Sequence, residues 1–128
     1  MSSIVLDASA ILAVLAAEPG AERLTTELLG TATSSTVNLA EVQGRLVSRG
    51  MDADDAWEAA LSPIGEPSPF TADQAKLAGS LIAQTSSFGL SLGDRACLAL
   101  GIVLHSPIYT ADRMWKNLKL GVRIHVLR

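Results

Sequence analysis

The sequence predicts an α/β fold in which helices cover both faces of a mostly parallel central sheet. Short apolar runs alternate with helical patterns along the 128 residues, which is typical of parallel βαβ units. The continuous apolar run in Ser3–Leu6 suits a buried parallel strand. The stretch 90–104, LSLGDRACLALGIVL, has no charged or strongly polar side chain after Arg95, so a helix there would lie inside the fold.

The first half of the chain predicts two strands, each followed by helices. Pro19–Gly20 stops the first helix and Gly30 ends the second. Asn38 is the predicted cap of the third helix, which Gly50 closes. In order, the predicted elements are a strand at 3–6, helices at 8–17 and 21–29, a strand at 31–37 and a helix at 38–50.

Helix-start signals are clear in the second half. Asp52 opens a helix whose acids are bunched in the first turn, where the helix dipole favours them. Thr71 with Gln74, and Ser91 with Asp94, have the spacing of capping boxes. In order, the predicted elements are a helix at 52–61, a loop with at best a short edge strand at 62–70, a helix at 71–85, the apolar helix at 90–104, a strand at 107–110, a short helix at 112–118 and a strand at 122–127.

Composition predicts a soluble, cytoplasmic protein with a single domain over residues 1–128. Hydrophobic residues make up 48% of the chain and charged ones 18%, which excludes a disordered chain. The one cysteine, Cys97, cannot form an internal disulfide and lies in the apolar helix, as expected of a buried thiol in a reducing compartment. No secretory signal is visible, and the apolar run at 10–17 is too short to span a membrane.

The charges are unevenly distributed. The net charge of −3 argues against a protein that grips nucleic acid by bulk electrostatics. Residues 50–75 hold six acids and no Lys or Arg, whereas residues 95–128 hold six bases and one acid. This asymmetry is compatible with a local phosphate-binding face, and a solvated surface with scattered charges is the alternative.

Four carboxylates fall where the strands of a parallel sheet end or where the following helices begin. They are Asp7, Glu41, Asp94 and Asp112. Each has a structural alternative as a helix-capping or first-turn acid. Together at one sheet edge they would repel one another without a cation. Both histidines are predicted to be structural, so an oxygen-ligated Mg²⁺ or Mn²⁺ suits the set better than zinc, and such an ion suits phosphodiester hydrolysis.

Four stretches of the chain resemble the acidic motifs of PIN-domain ribonucleases, in order and in separation. They are VLDASAILAVL, STVNLAEV, LSLGDRACLALG and YTADRMW. The nearest likeness is to VapC-type toxins of type II toxin–antitoxin pairs, and it covers essentially the whole chain. The resemblance implies an α/β/α sandwich, Mg²⁺- or Mn²⁺-dependent endoribonuclease activity, a homodimer, and inhibition by a cognate VapB-type antitoxin.

The resemblance also assigns roles to single residues. The catalytic and metal-binding quartet would be Asp7, Glu41, Asp94 and Asp112. Among these, Asp7 and Asp94 are the expected direct metal ligands. Ser9 and Thr110 would orient carboxylates or bind phosphate, and Asn38 would brace the helix that carries Glu41 unless it is a plain helix cap.

Substrate contacts are expected beside the last acid. Arg113 and Lys116 are the natural phosphate neighbours of Asp112, and Arg95 could touch substrate or pair with an acid. Trp115 could stack on a base, but packing against the sheet is the favoured interpretation. The residues alone do not exclude DNA as the substrate, so the RNA assignment rests on the resemblance.

An apolar surplus in the first two helices is consistent with a hydrophobic partner. The residues concerned are Ile11, Leu12, Leu15, Leu24 and Leu28. Two other classes of Mg²⁺-binding protein fit less well. A phosphoacceptor receiver domain needs a second Asp at the end of the third strand and a lysine at the end of the fifth, and a DxD phosphatase needs an acid where Ser9 stands. A PIN-fold protein-binding or RNA-processing module outside a toxin–antitoxin pair is the remaining alternative.

Overall fold

A five-stranded parallel sheet forms the centre of the computed structural model, which describes residues 3–128. The strand order is β3-β2-β1-β4-β5, and every neighbouring pair is parallel. The strands are β1 (Ile4–Leu6), β2 (Ala32–Ser35), β3 (Glu66–Ser68), β4 (Ile108–Thr110) and β5 (Ile124–Val126). The predicted α/β class is confirmed, with a sheet that is entirely parallel.

Helices cover both faces of the sheet, as predicted. The α-helices are α1 (Ala8–Leu15), α2 (Thr26–Gly30), α3 (Thr36–Ser48), α4 (Ala53–Leu61), α5 (Ala72–Ser80), α6 (Ile82–Thr85) and α7 (Leu92–Leu104). Short 3₁₀ helices occupy Ala21–Arg23, Ser86–Phe88 and Arg113–Asn117. One apolar cluster joins the sheet to α1, α3 and α4, and a second joins it to α5 and α7.

Alternation along β1 separates the two clusters. Leu6 packs with Ile11 and Leu39 in the first cluster, whereas Val5 packs with Leu98 in the second. Successive side chains of a strand point to opposite faces, so a continuous apolar run is required where both faces are covered. These five side chains are fully buried, and each burial is worth about 1.5–3 kcal/mol.

The apolar helix α7 is the internal helix that its sequence predicts. Its buried residues are Gly93, Ala96, Cys97, Leu98, Ala99, Leu100 and Gly101. Its last turn reaches the surface, where Val103 and Leu104 are exposed. Among residues 3–128 no single helix is long and apolar enough to span a membrane. One pair of segments, Ala72–Phe88 and Leu92–Leu104, passes that test together, but it is bent by 120°.

Two predicted helices are interrupted in the structure. The helix expected at 21–29 is a 3₁₀ turn followed by α2, because the Thr25 hydroxyl accepts the Leu28 N–H and starts a new helix. The helix expected at 71–85 ends at Ser80, where Leu81 packs into the core, and α6 follows. The Thr71 cap of α5 is present.

The predicted capping role of Asn38 is wrong. Helix α3 begins two residues earlier, because the hydroxyl of Ser35 accepts the N–H of Val37 and the chain leaves β2 directly into the helix. Asn38 therefore lies inside the first turn and is buried, and Glu41 lies in the second turn. Asn38 and Glu41 have the spacing of a capping box, but they do not form one at the start of α3.

The apolar surplus predicted for the first two helices is also wrong. Ile11 and Leu24 are buried, and Leu12 and Leu28 pack against the same cluster. Only Leu15 of the five is exposed, at 36%. The core between the sheet and α3 uses these side chains, so they offer no argument for a partner surface.

The histidines lie at different kinds of position. His105 ends α7 in the left-handed conformation and is exposed. The His125 ring stacks on Tyr109 with centroids 4.7 Å apart. Burial lowers the pKa of His125, and the positive charges of Arg123 and Arg23 lower it further.

Candidate active site

Four acidic side chains line one cleft at the carboxyl ends of β1 and β4. The cleft has a volume of about 290 Å³. Its lining residues are Asp7, Ala8, Ser9, Leu12, Glu41, Arg45, Ser91, Asp94 and Asp112. The structure thus brings together all four acids singled out in the sequence.

Asp7 is the most tightly held of the four. It follows β1 and caps α1, where one carboxylate oxygen accepts the Ala10 N–H at 2.8 Å. Ser9 Oγ donates to both oxygens, at 2.8 and 2.9 Å, and Thr110 Oγ1 donates to Oδ2 at 2.6 Å. Burial raises the pKa of Asp7 to about 6, against the hydrogen bonds, which lower it, while the charge of Asp94 adds to the rise.

Asn38 connects Glu41 to the apolar helix α7. Its side-chain amide donates to Glu41 Oε1 at 2.9 Å and to the Gly93 carbonyl at 3.0 Å. A β-carbon at residue 93 would overlap the Glu41 carboxylate. Glycine is therefore required at this position if the carboxylate is to lie between α3 and α7.

Asp94 and Asp112 are both helix-capping residues and cleft residues. Asp94 Oδ2 accepts the Ser91 N–H at 3.0 Å, and the Ser91 hydroxyl accepts the Asp94 N–H, which completes a capping box. Asp112 Oδ1 accepts the Met114 N–H at 2.9 Å, and the Asp112 N–H donates to Thr110 Oγ1. Both acids therefore have the helix-capping role that the sequence offers as a structural alternative, and both also line the cleft.

Three of the acids keep an oxygen available to a ligand. Within residues 3–128, Oε2 of Glu41, Oδ1 of Asp94 and Oδ2 of Asp112 accept no hydrogen bond from the protein. Carboxylate oxygens are the donors that Mg²⁺ and Mn²⁺ prefer. The chemistry of the donor set therefore fits a hard divalent cation.

The carboxylates share the cleft without forming a compact cage. In the described part of the chain, no three His, Cys, Asp or Glu side chains are close enough to hold a metal ion. Like charges repel one another, so carboxylates that share a cleft oppose a closer approach. The carboxylates also act on Cys97. Burial raises the pKa of its thiol, and the charges of Asp7, Asp94 and Glu41 raise it further.

Two residues that matter in the cleft escaped sequence analysis. Arg45 lines the cleft one helical turn after Glu41 on the exposed side of α3. Glu41 and Arg45 are four residues apart, and this spacing predicts that the two side chains lie on the same face of the helix. Gly93 gave no signal in the sequence, because its importance depends on the distance of α7 from α3.

The residues predicted to contact the substrate do not line the cleft. Arg95 Nη1 donates to the Ala78 carbonyl at 2.9 Å, which links α7 to α5, and Arg95 does not line the cleft. Arg113 and Lys116 are exposed on the 3₁₀ helix after Asp112, outside the cleft lining. Trp115 is fully buried in the second apolar cluster, so packing is its role.

A comparison with protein families agrees with this arrangement. The family model described as PIN domain matches residues 4–120. The chain belongs to the PIN-domain family. No curated protein sequence matches this PIN domain.

Solved structures of the same fold come from toxin–antitoxin systems. The toxin VapC20 of Mycobacterium tuberculosis, described as cleaving the sarcin-ricin loop, matches with a TM-score of 0.74 and 22% identity over 94% of this chain and 99% of that one. The DNA-bound VapBC of Salmonella typhimurium matches with a TM-score of 0.74 and 14% identity over the whole of both chains. VapBC2 of Rickettsia felis, bound to a promoter fragment, matches with a TM-score of 0.72 and 20% identity over 95% and 96%. At these identities the likeness is one of fold.

Proposed function

We propose that this PIN domain is a metal-dependent endoribonuclease that acts as a VapC-type toxin. The observation that carries the proposal is the single cleft lined by Asp7, Glu41, Asp94 and Asp112. Three of these acids have an oxygen that makes no hydrogen bond with the described protein. A cleft so rich in carboxylates repels a phosphodiester until a cation neutralises it.

The four acids would hold Mg²⁺ or Mn²⁺. Such an ion, when bound, supplies an activated water and neutralises charge at the reacting phosphorus. Ser9 and Thr110 orient the Asp7 carboxylate before any ligand arrives, so that little conformational freedom is lost on binding. Asn38 does the same for Glu41 by holding Oε1 and leaving Oε2 free.

Among the described residues 3–128, Arg45 supplies the one positive charge in the cleft lining. Its guanidinium is suited to two parallel hydrogen bonds with phosphate oxygens. A donor of this kind stabilises charge that builds up on a phosphoryl group during displacement. We assign Arg45 to the substrate phosphate and the four acids to the cation.

The choice of RNA over DNA is supported by the relatives. The matching VapC20 is described as cleaving the sarcin-ricin loop, which is RNA. Attack by water makes no use of a 2′-hydroxyl, so the cleft chemistry itself does not select the sugar. Selection must come from the surface along which the strand lies.

The same relatives support an antitoxin as a partner of this chain. Several matching structures are VapBC complexes. We therefore propose a cytoplasmic homodimer neutralised by a cognate VapB-type antitoxin. Expression of the chain alone should arrest growth, and coexpression of its cognate VapB-type antitoxin should relieve the arrest.

The test of the nuclease proposal compares two acid-to-amide variants that both alter a helix cap. Asp94→Asn changes the cleft, whereas Asp52→Asn changes the cap of α4 outside the cleft. We expect wild type and Asp52→Asn to cleave RNA in Mg²⁺ or Mn²⁺, and Asp94→Asn to be at least about 100-fold slower. Cleavage that persists in EDTA, or equal rates in the two variants, would contradict the proposal.

A further inference from the structure

A second cleft continues from the acidic one. It has a volume of about 320 Å³, and we call it the arginine cleft. Its lining residues are Ser9, Leu12, Ala16, Glu18, Arg45, Arg49, Ala111, Asp112 and Arg128. Ser9, Leu12, Arg45 and Asp112 also line the acidic cleft, so the two form one groove.

The charge changes sign along this groove. In the described part of the chain, the acidic cleft has four carboxylates and one guanidinium, whereas the arginine cleft has three guanidiniums and the carboxylates of Glu18 and Asp112. Arg128 lies 3.4 Å from Glu18, with both side chains about 40% exposed. Such a pair is weak and is screened by salt. Within residues 3–128, neither Arg45 nor Arg49 forms a salt bridge.

The sequence of α3 sets this polarity. Glu41, Arg45 and Arg49 follow one another at intervals of four residues, on one stripe of the helix and its carboxyl-terminal cap. Each step advances by about 6 Å along the helix axis. The stripe therefore runs from the acidic end of the groove to its basic end, where Arg128 adds a third guanidinium from the segment after β5.

We propose that the arginine cleft binds the RNA phosphates next to the scissile one and so directs the strand across the acids. This inference rests on the proposed nuclease function and adds to it the residues that hold the substrate backbone. A chain with a net charge of −3 needs a local positive surface to bind a polyanion. Arg113 and Lys116, the contacts expected from the sequence, are not among the lining residues of this groove.

The test measures binding without cleavage. All proteins carry Asp94→Asn and are kept in EDTA, and the probe is a short fluorescein-labelled single-stranded RNA. The affinity is measured over a range of KCl concentrations for the parent protein, for Arg49→Ala/Arg128→Ala and for the charge-preserving Arg49→Lys/Arg128→Lys. Arg123→Ala is the matched control, because Arg123 is exposed and lines a different pocket beside β5.

The slope of log Kd against log salt concentration reports the number of phosphates neutralised, at about 0.7 for each contact with a single strand. We expect the double alanine variant to lose about 1.4 from this slope, and the double lysine variant and Arg123→Ala to keep it. An unchanged slope in the double alanine variant, an equal loss in Arg123→Ala, or no RNA binding by the parent protein would overturn the proposal. Circular dichroism of each exposed-site variant checks that the fold is kept.

Failure of this proposal can be told from failure of the nuclease function. Cleavage by the wild-type chain in Mn²⁺ is measured in parallel on the same RNA. Metal-dependent cleavage with an unchanged slope in the double alanine variant rejects the arginine cleft alone. A reduced slope without cleavage supports the arginine cleft as an RNA-binding surface and rejects the nuclease function alone.

Discussion

Thr110 donates a 2.6 Å hydrogen bond to Asp7, and this bond joins the ends of the neighbouring strands β1 and β4. Both residues are buried. Hydrogen bonds to an ionised carboxylate favour the charged form and fix its direction. Thr110 therefore acts on the cleft through Asp7.

Thr110→Val keeps the side-chain shape and removes the donor. We expect the pKa of Asp7 to rise further and the affinity for Mn²⁺ to fall by about 10-fold to 100-fold, as for other residues that orient a metal ligand. Titration calorimetry measures the affinity, and the pH at which metal binding is half-lost reports the pKa. Ser106→Ala is the control, because Ser106 is also a buried hydroxyl beside β4 but lies outside the cleft. Equal Mn²⁺ affinity in the two variants would remove the positioning role of Thr110.

Divalent cations should stabilise the folded chain. An ion that binds the folded cleft and not the unfolded chain adds about 2.7 kcal/mol at a concentration 100 times its Kd. Thermal unfolding with Mg²⁺, Mn²⁺ and EDTA measures this rise in Tm. Asp94→Asn should abolish most of the rise and Asp52→Asn none of it. A rise of the same size in both variants would place the ion elsewhere.

The metal-free protein should lose stability as the pH rises from about 4 to about 6. The pKa of Asp7 is about 6 in the folded chain against an ordinary value of 3.8, so the folded state holds the proton more tightly. The resulting cost at neutral pH is on the order of 2–3 kcal/mol. In EDTA, Asp7→Asn should therefore be more stable than wild type at pH 8, and the difference should shrink below pH 6. Urea unfolding at several pH values measures this difference in the free energy of unfolding. A difference that does not change with pH would show that protonation of Asp7 is not its cause.

Gly93→Ala should damage the cleft while sparing the fold. The added methyl overlaps the Glu41 carboxylate, which accepts a hydrogen bond from Asn38, so the carboxylate must move. We expect at least about a tenfold loss of cleavage with little change in Tm. Gly79→Ala is the matched control: this helical glycine of α5 has open space around it, and alanine there should stabilise the helix by up to about 1 kcal/mol. Normal cleavage by Gly93→Ala would show that the position of Glu41 is not critical.

The amino-acid sequence was sufficient to predict the layout of the fold, because the signals for it are local. The apolar run before Asp7 marks a doubly covered strand, and Ser91 with Asp94 marks the start of the central helix. Alternation of strands and helices then predicts a parallel sheet, and a parallel sheet gathers the residues at its carboxyl edge. The four acids of the cleft can be found in this way from the sequence alone.

The features that escaped prediction depend on distances between elements. The cap of α3 is Ser35 and not the predicted Asn38, because the chain enters the helix directly at the end of β2. The requirement for Gly93 exists only because α7 approaches α3 closely. Arg49 and Arg128 lie far apart in the chain, so their common cleft appears only once β5 is placed in the sheet.

Arg45 places a positive charge inside a cleft that we assign to a cation, and this produces opposite effects on two measurable steps. A guanidinium that lines the same cleft opposes the binding of a divalent ion. For scale, two unit charges 4 Å apart interact by about 1 kcal/mol in water and by more where water is excluded. Arg45→Ala should therefore bind Mn²⁺ several-fold more tightly. The same variant loses the donor for the substrate phosphate, so its cleavage rate at saturating Mn²⁺ should fall by at least about tenfold. Titration calorimetry and single-turnover cleavage measure the two steps, and Arg45→Lys should preserve the metal affinity of wild type because it keeps the charge. Weaker Mn²⁺ binding in Arg45→Ala would mean that the arginine organises the carboxylates instead of competing with the ion.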